Sequence, residues 1–321
     1  MPAPWRFSVA PMMDRTDRHF RWLFRHISAG ALLYTPMIAA DAIVRGRADA
    51  ELAHEPCEQP LALQLGGSEP ATLAAAARIG AARGFVEIDL NCGCPSPTAA
   101  SSRWGVALMD EPARVAEMVA AMVAVAGVDV TVKHRLGIAG RDHVERLHAF
   151  VDAVASAGAA RVIVHARAAV LGGLAPARNR SVPPLRPDEV HALVAARPGL
   201  PVIYNGGLLT PADAAERLRD DRLAGVMIGR SAYDDPWAWR EVDPWLYGVP
   251  APTGSRREIA VALRERAQAW ARTGADPYAV TRHAMGLWRA LPGARRARAA
   301  VASLARGGGL AALDAAIAVL P

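Results

Sequence analysis

Polar and reactive side chains stand where several short apolar segments of the sequence end. Gln64, Lys133 and His165 each lie within or just after such a segment, and Asn91 closes another. A thiol, that of Cys94, follows Asn91 by three residues. The ends of parallel strands in a barrel meet on one face, so we expect these groups to lie close together. Amides, an ammonium, an imidazole and a thiol can together hold an anion and transfer a proton.

Cys94 lies in the segment DLNCGCPS and is the thiol best placed for chemistry. The three cysteines, Cys57, Cys92 and Cys94, are too few for a disulfide framework and lack the paired spacing of a zinc site, so we expect reduced thiols and no metal. A thiol with an ordinary pKa of about 8.5 is mainly protonated at neutral pH and can act as a general acid. Cys94 is therefore predicted to donate a proton; the alternative is a small residue buried in a turn.

Lys133 is the only lysine in the chain, because arginine stands at every other strongly basic position. A compact ammonium differs from a planar guanidinium, so Lys133 is predicted to have a specific task. Together with Gln64 it could bind the pyrimidine edge of a reduced flavin, which carries negative charge. Alternatively, Lys133 could form a Schiff base, as in aldolase barrels. His165 could be a further phosphate or flavin ligand, or a histidine of the core.

Two glycine-containing turns predict a phosphate site. Asn205, Gly206 and Gly207 follow one apolar segment in YNGG, and Gly229 with Arg230 follows the next in IGR. Glycine lets the backbone N–H groups approach a phosphate closely, and Arg230 can add a charge-assisted hydrogen bond. The alternative is a pair of ordinary turns between strands and helices.

The elements that must position these residues alternate regularly along the chain. Short β-branched segments recur with helical patterns between them, which indicates parallel strands joined by right-handed crossovers. Eight such strands favour a closed (β/α)₈ TIM barrel over an open sheet, with the active site at the carboxyl ends of the strands. The predicted strands span 6–10, 32–38, 61–66, 85–91, 128–134, 161–166, 201–206 and 224–229.

The chain after the barrel has a different composition. A Pro- and Trp-rich stretch, 234–255, is predicted to be a linker, and the Ala-, Leu- and Arg-rich remainder to form a bundle of about four helices. We therefore divide the chain into a barrel domain, 1–243, and an all-α domain, 244–321. The second contains 11 arginines and 4 acidic residues, although the net charge of the whole chain is +6. Such a segment is typical of a module that binds a polyanion, or of a solvated helical surface.

Several segments of the chain resemble a known family, the bacterial tRNA-dihydrouridine synthases, most closely their A-type branch. The resemblance covers nearly the whole length and depends most on DRTDRHFR, GCPS and NRSVPPL. Other matching segments are LALQLGGSEP, VTVKHRLGI, YNGG, GVMIGRSAYDDP and, in the tail, TRHAMGL followed by PGARRAR.

The resemblance implies a cofactor, a reductant, a substrate and roles for individual residues. It implies that Cys94 donates a proton to a uridine of tRNA, in the D-loop near position 20 or 20a, and that NADPH supplies the electrons. Asn91, Arg141, Arg178 and Arg282 match positions that would contact the tRNA. The implied FMN ligands are Pro11, Met12, Met13, Gln64, Lys133, His165, Asn205, Gly206, Gly207, Gly229 and Arg230.

The chain departs from the family pattern after GCPS. Pro97, Thr98 and Ala100 replace polar residues, Ala107 stands where a second cysteine is usual, and Pro36 replaces a usual Glu. Two other functions therefore remain open: a flavin barrel acting on a free pyrimidine or other small molecule, and a flavin-retaining protein that binds tRNA without reducing it. The absence of long apolar stretches and of a signal-peptide core predicts a cytoplasmic protein without membrane segments, and we expect a monomer.

Overall fold

Among the described residues, nine parallel strands form the centre of the molecule. The computed structural model describes residues 2–96, 104–141, 143–171, 174–175 and 178–321. The strands are β1 (Phe7–Val9), β2 (Leu32–Tyr34), β3 (Ile38–Ala39), β4 (Leu61–Gly66), β5 (Glu87–Cys92), β6 (Asp129–Arg135), β7 (Arg161–His165), β8 (Val202–Asn205) and β9 (Gly225–Ile228).

The strands close into a barrel. Strand β1 pairs with both β2 and β9, and β2 pairs with β4, so eight strands form a complete ring while β3 extends β4 at one end. The predicted (β/α)₈ fold and all eight predicted strands are confirmed. One predicted strand, 32–38, is divided into β2 and β3, and Pro36 lies in the break. Proline has no N–H for the strand ladder, which explains the interruption.

The β-branched and apolar strands are buried on both faces. A small inner cluster, which includes Ala10, Tyr34, Ile163, Ile203 and Met227, fills part of the barrel. The opposite face of the strands packs against the helices in a much larger core. Full burial on both sides explains why the strands read as continuous apolar runs rather than as alternating patterns.

Helices connect the strands around the outside of the barrel. Pro70 and Pro211 each stand at the first turn of a helix, where proline is favoured, and Thr210 caps the second helix with its side chain. The helices of this region are α1 (Arg18–Arg25), α2 (Ala40–Val44), α3 (Asp49–Leu52), α4 (Pro70–Ala82), α5 (Pro112–Ala126), α6 (His143–Ser156), α7 (Pro187–Ala196), α8 (Pro211–Arg217), α9 (Arg230–Asp234) and α10 (Val242–Tyr247). Short 3₁₀ helices span Pro4–Arg6, Pro56–Glu58, Gly105–Asp110, Arg178–Arg180 and Pro236–Trp239.

The predicted linker is more ordered than its composition indicates. It contains the 3₁₀ helix Pro236–Trp239 and helix α10, and the Trp239 side chain is fully buried. Asp243 of α10 accepts hydrogen bonds from Ser28 Oγ at 2.5 Å and from the Ala29 N–H at 2.6 Å. These contacts attach the segment to the residues that follow helix α1. They also supply the hydrogen bonds that a buried carboxylate requires.

The C-terminal part is helical, as predicted. Four α-helices follow, α11 (Arg256–Arg272), α12 (Tyr278–Thr281), α13 (Ala294–Leu304) and α14 (Ala311–Ile317), and a 3₁₀ helix, Arg282–Trp288, continues α12. Gly and Pro residues stand between these helices, at Gly274 and Pro277, at Pro292 and Gly293, and at Gly307. A domain boundary at 243/244 stays a prediction.

Candidate active site at the barrel mouth

Strand register places the predicted polar residues side by side at the carboxyl ends of the strands. Asn91 of β5 is the partner of Lys133 in β6, and His165 of β7 is the partner of Asn205 in β8. Gln64 lies on β4, beside β5. Since neighbouring strands are about 4.8 Å apart, these side chains belong to one surface, which we call the barrel mouth.

Hydrogen bonds join these side chains in pairs. Lys133 Nζ donates to Asn205 Oδ1 at 3.1 Å, and Asn205 Nδ2 donates to the Met227 carbonyl at 2.7 Å. On the other side, Asn91 Nδ2 donates to Gln64 Oε1 at 2.8 Å. The bonds fix which end of each amide faces its neighbour. Of the three N–H groups of Lys133, two have no acceptor among the described residues.

The loop that carries Cys94 is held by Asn91. Its Oδ1 accepts hydrogen bonds from the backbone N–H groups of Gly93, at 3.1 Å, and Cys94, at 3.0 Å. The Cys94 side chain is half-buried, and its Sγ lies 3.3 Å from Ser96 Oγ. Cys92, by contrast, is fully buried, and burial raises the pKa of its thiol well above the usual value. Of the two thiols, only Cys94 is accessible for proton transfer.

Arg135 is a residue of this site that the sequence pattern did not single out. At the end of β6 it donates from Nε to the Gly93 carbonyl at 2.9 Å and from Nη1 to the Asn179 carbonyl at 3.1 Å. Asn179, in NRSVPPL, is buried and holds the Val170 N–H through its Oδ1 at 2.7 Å. The two residues therefore join the Cys94 loop to the segment around 178–180. The resemblance in NRSVPPL was the available signal for Asn179.

His165 presents a polar atom that lacks a partner. Its Nδ1 is buried and has no hydrogen bond within the described part of the chain. Burial, assisted by the positive charges of Arg135 and Lys133, lowers the pKa of His165 well below its usual value. The ring is therefore neutral, and its unpaired nitrogen is available to a bound group.

The two glycine turns, at Gly206 and Gly207 and at Gly229, form what we call the glycine cradle. Gly206 and Gly207 have φ of 115° and 72°, in the region that favours glycine. A Cβ on Gly207 would lie 2.3 Å from Leu185 Cδ1, and one on Gly206 would lie 3.4 Å from His165 Nε2. Arg230 follows Gly229 and donates from Nη2 to the Arg180 carbonyl at 3.1 Å.

The residues after β1 lie next to this cradle. The Met12 side chain is nearly buried, and its Sδ lies 3.9 Å from the position that a Cβ on Gly229 would occupy. Pro11 is half-buried, whereas the Met13 side chain is 57% exposed. Strand β1 therefore brings Met12 to the predicted cofactor site, and Met13 is open to solvent.

The mouth is electropositive. Burial lowers the pKa of Lys133 to about 8, which leaves it mainly protonated at neutral pH. Burial also lowers the pKa of Arg135 to about 10, and burial together with the charge of Arg230 lowers that of Arg180. Arg180 was not predicted as a site residue. These neighbouring cations suit an anionic ligand.

The arginines predicted to contact tRNA are not part of the hydrogen-bonded mouth. Arg141 forms an ion pair with Asp110, and Arg178 is exposed in a 3₁₀ helix. Arg282 donates from Nη2 to Asp17 Oδ2 at 2.6 Å and so connects the tail to α1. Ala107 is half-buried in the 3₁₀ helix after the Cys94 loop, and Pro97, Thr98 and Ala100 lie outside the described residues.

The fold and the mouth define a TIM-barrel enzyme with a polar site at the carboxyl ends of its strands. A profile of the family described as dihydrouridine synthase (Dus) matches residues 8–318, so the chain belongs to that family. It is 46% identical over 293 residues to the tRNA-dihydrouridine(20/20a) synthase of Pseudomonas syringae pv. tomato, covering 91% of this chain and 87% of that protein. The protein of the same name from Vibrio cholerae is 41% identical over 319 residues, which are 98% and 97% of the two chains.

The comparisons confirm the family predicted from the sequence motifs, including the branch whose members act at 20/20a. A similar relative of the same name in Xanthomonas axonopodis pv. citri is 46% identical over 296 residues, covering 92% of this chain and 87% of that protein. Among the described residues, no helix is both long and apolar enough to cross a membrane.

Proposed function

We propose that this protein reduces uridine to 5,6-dihydrouridine in the D-loop of tRNA, at position 20 or 20a, with FMN as its cofactor and NADPH as the reductant. The relatives named above support the substrate and the position. The observation that carries the proposal is the arrangement of the mouth. An accessible thiol, that of Cys94, stands on a loop anchored by Asn91, whose side chain also binds Gln64 in the predicted cofactor site.

The residues present fit FMN. No described residue bonds to the buried Nδ1 of His165, so this nitrogen is available to FMN, and the positive φ of Gly206 and Gly207 lets their backbone N–H groups approach a phosphate. Lys133, two of whose N–H groups have no acceptor in the part of the chain that the structure describes, would bind the pyrimidine edge, and Arg230 would neutralise the phosphate. Met12, Pro11, Met13 and Gly229 would complete the site. When bound, FMN supplies the hydride that is added to C6 of the uracil ring.

Cys94 completes the reduction with a proton. Addition at C6 breaks the C5=C6 double bond and leaves its electron pair at C5, where Sγ–H delivers the proton; the thiolate then regains a proton from solvent. Asn91 directs the loop because its Oδ1 holds the Cys94 N–H. Its Nδ2 has one N–H beyond the bond to Gln64, and that donor would contact a uracil carbonyl or a ribose hydroxyl.

The C-terminal helices would bind the tRNA itself. Arg295, Arg296 and Arg298 on α13 are exposed and have no ion pair within the described ranges. The target base must leave its stack before it can reach the mouth, so binding the folded tRNA and positioning the base are separate tasks. Arg141, Arg178 and Arg282 would add contacts; Arg282 would first have to share or exchange its contact with Asp17.

The test is turnover by purified protein supplied with FMN and NADPH. Unmodified tRNA and free uridine are offered separately, and dihydrouridine is measured by mass spectrometry. We expect product in tRNA, at one D-loop site, and none from free uridine. Equal turnover of free uridine would instead support a small-molecule oxidoreductase. A yellow protein that binds tRNA and forms no product would support a binding protein.

A further inference from the structure

A chain of hydrogen bonds continues from the mouth into the interior of the barrel. The Cys94 N–H donates to Asn91 Oδ1, and Asn91 Nδ2 donates to Gln64 Oε1. Gln64 Nε2 then donates to Asp89 Oδ2 at 2.6 Å. Asp89 is fully buried on β5 and has no role in the function proposed above. Its side chain is the next link below the predicted cofactor site.

Thr131 connects Asp89 to a second carboxyl group. Its Oγ1 lies 3.0 Å from Asp89 Oδ1 and 2.8 Å from Glu87 Oε1. A hydroxyl has one proton and can donate to only one of these oxygens. The other contact is a hydrogen bond only if that carboxyl group carries a proton of its own. Hydrogen bonds in both contacts therefore imply one proton on either Asp89 or Glu87.

The surroundings of the two carboxyl groups decide where the proton resides. Glu87 Oε2 accepts a hydrogen bond from Arg161 Nη2 at 2.5 Å, and its Oε1 accepts one from the Tyr34 hydroxyl. Asp89 forms no ion pair in the part of the chain that the structure describes. A buried charge needs a paired cation, so Glu87 is the anion and Asp89 is neutral.

We propose that Asp89 is a neutral carboxyl group that orients Gln64 and, through Asn91, positions the Cys94 loop. Its Oδ1–H donates to Thr131, while Oδ2 accepts from Gln64. Every bond from the Cys94 N–H to Glu87 then points in the same direction, an arrangement in which hydrogen bonds strengthen one another. The inference rests on the proposed function for the tasks of Gln64 and Cys94. Asp89 itself touches neither substrate nor cofactor and is a positioning residue.

The electrostatic environment agrees with this assignment. Burial raises the pKa of Asp89 to about 8; the Gln64 hydrogen bond opposes this shift, and the Glu87 charge adds to it. The other titratable groups that face Asp89 are Lys133, whose charge favours ionisation, and the buried Tyr34 and Cys92, both of which are neutral at pH 7 because burial and the Asp89 carboxyl group raise their pKa. Arg161, from β7, is engaged by Glu87.

The proposal predicts a pH dependence with a definite sign. Because the folded-state pKa of Asp89 is raised, its contribution to stability is complete below the ordinary pKa of about 3.9 and is lost as pH rises through about 8. Between those values, the wild type should lose about tenfold in its folding equilibrium constant per pH unit, relative to a variant that cannot titrate there.

Two matched amide substitutions test the inference in flavin-free protein. Asp89→Asn reproduces the neutral acid, since Nδ2 can donate to Thr131 and Oδ1 can accept from Gln64. Glu87→Gln instead leaves the Arg161 charge without its buried partner. At pH 7 we expect Asp89→Asn to melt at or above the wild-type temperature and Glu87→Gln roughly 5–10 °C below it. The melting temperature of Asp89→Asn should rise relative to that of the wild type from pH 5 to pH 8. Equal damage by both substitutions would overturn the proposal.

Two further measurements separate positioning from folding. The infrared spectrum of protein labelled with ¹³C-aspartate should show a protonated carboxyl band at pH 6 that Asp89→Asn lacks; no such band would contradict a neutral Asp89. FMN affinity should stay within about threefold in Asp89→Asn and fall roughly tenfold in Asp89→Ala, where Gln64 loses its partner. Unchanged affinity in a folded Asp89→Ala protein would exclude the positioning role.

The two proposals can fail independently. If the wild-type protein binds no flavin while the Asp89→Asn and Glu87→Gln variants differ as expected, the proposed function fails and the neutral Asp89 stands. If the wild type reduces tRNA while Asp89→Asn is as unstable as Glu87→Gln, only the inference about Asp89 fails.

Discussion

The barrel mouth and the C-terminal helices use polar groups in opposite ways. At the mouth, amides and one lysine are partly or fully buried and bonded to one another, as in the pairs Lys133–Asn205 and Asn91–Gln64. On α13, exposed arginines stand without ion pairs in the described ranges. Fixed hydrogen bonds can define the position of a reacting atom, whereas mobile surface charges provide affinity for a polyanion with little positional control. The two regions therefore suit chemistry and tRNA capture, respectively.

Removing the thiol should have the largest effect on chemistry and none on capture. For Cys94→Ala we expect oxidation of the reduced flavin by tRNA to slow about 10²–10⁴-fold, because that range is typical of general acids. Flavin absorbance in single-turnover mixing measures the rate, and tRNA affinity should be unchanged. Cys57→Ala, which removes an exposed thiol elsewhere, is the control. A Cys94→Ala protein with normal rates would assign the proton to another group.

Neutralising the exposed arginines of α13 should weaken tRNA binding and leave the flavin site unchanged. The triple change Arg295→Gln, Arg296→Gln and Arg298→Gln is expected to weaken tRNA binding roughly 10–100-fold. It should also flatten the plot of log affinity against log salt by about 0.7–0.9 per lost phosphate contact. Flavin content should not change. Arg264→Gln is the matched control, since Arg264 is already paired with Asp314. If the triple variant and the control bind tRNA equally, α13 does not hold the nucleic acid.

A methyl group in the glycine cradle should damage the mouth alone. Gly207→Ala combines a φ of 72° with a contact of 2.3 Å to Leu185 Cδ1. We expect it to reduce the free energy of unfolding by about 2–4 kcal/mol and to lower FMN content. Gly46→Ala has a similar φ, 66°, with no atom of a described residue within 4 Å, so it should cost only about 1–2 kcal/mol and retain the flavin. Thermal melts and flavin absorbance provide the comparison, and equal losses would remove the steric explanation.

The contact between the start of helix α1 and the C-terminal helices should give the smallest effect. Burial would raise the pKa of Asp17, but His283 and Arg282 hold it well below the usual value. Such a carboxylate stabilises the fold above the unfolded pKa of about 3.9, and this contribution is lost as pH falls further. Asp17→Asn should therefore cost about 1–2 kcal/mol at pH 7, and the difference should narrow below about pH 4. Denaturant unfolding at pH 7 and pH 3 measures the difference in the free energy of unfolding between Asp17→Asn and the wild type. A difference that is the same at both pH values would contradict the ionic explanation.

Patterns within one segment of sequence predicted most of the barrel. Strands buried on both faces appear as apolar β-branched runs, so all eight were recognisable, and only Pro36 divided one of them. The stretch 234–255 contains more helix than its composition indicated, because Pro and Trp also occur in packed segments. Burial of Trp239 and the contact of Asp243 with Ser28 involve residues far apart in the chain, and composition does not reveal such pairs.

The candidate site was predictable where strand ends determine it. Gln64, Asn91, Lys133 and Asn205 were identified because parallel strands bring their carboxyl ends together. Asp89 and Arg135 were missed because their importance comes from partners on other strands or loops. The ion pair of Arg282 with Asp17 likewise joins residues from opposite ends of the chain.

Mass mapping of dihydrouridine in tRNA from cells that lack this protein tests the proposed reaction most directly. The deletion should remove dihydrouridine at position 20 or 20a, the wild-type gene should restore it, and a gene carrying Cys94→Ala should not. An unchanged tRNA modification pattern after deletion would contradict the assignment of this protein as the enzyme that forms dihydrouridine there.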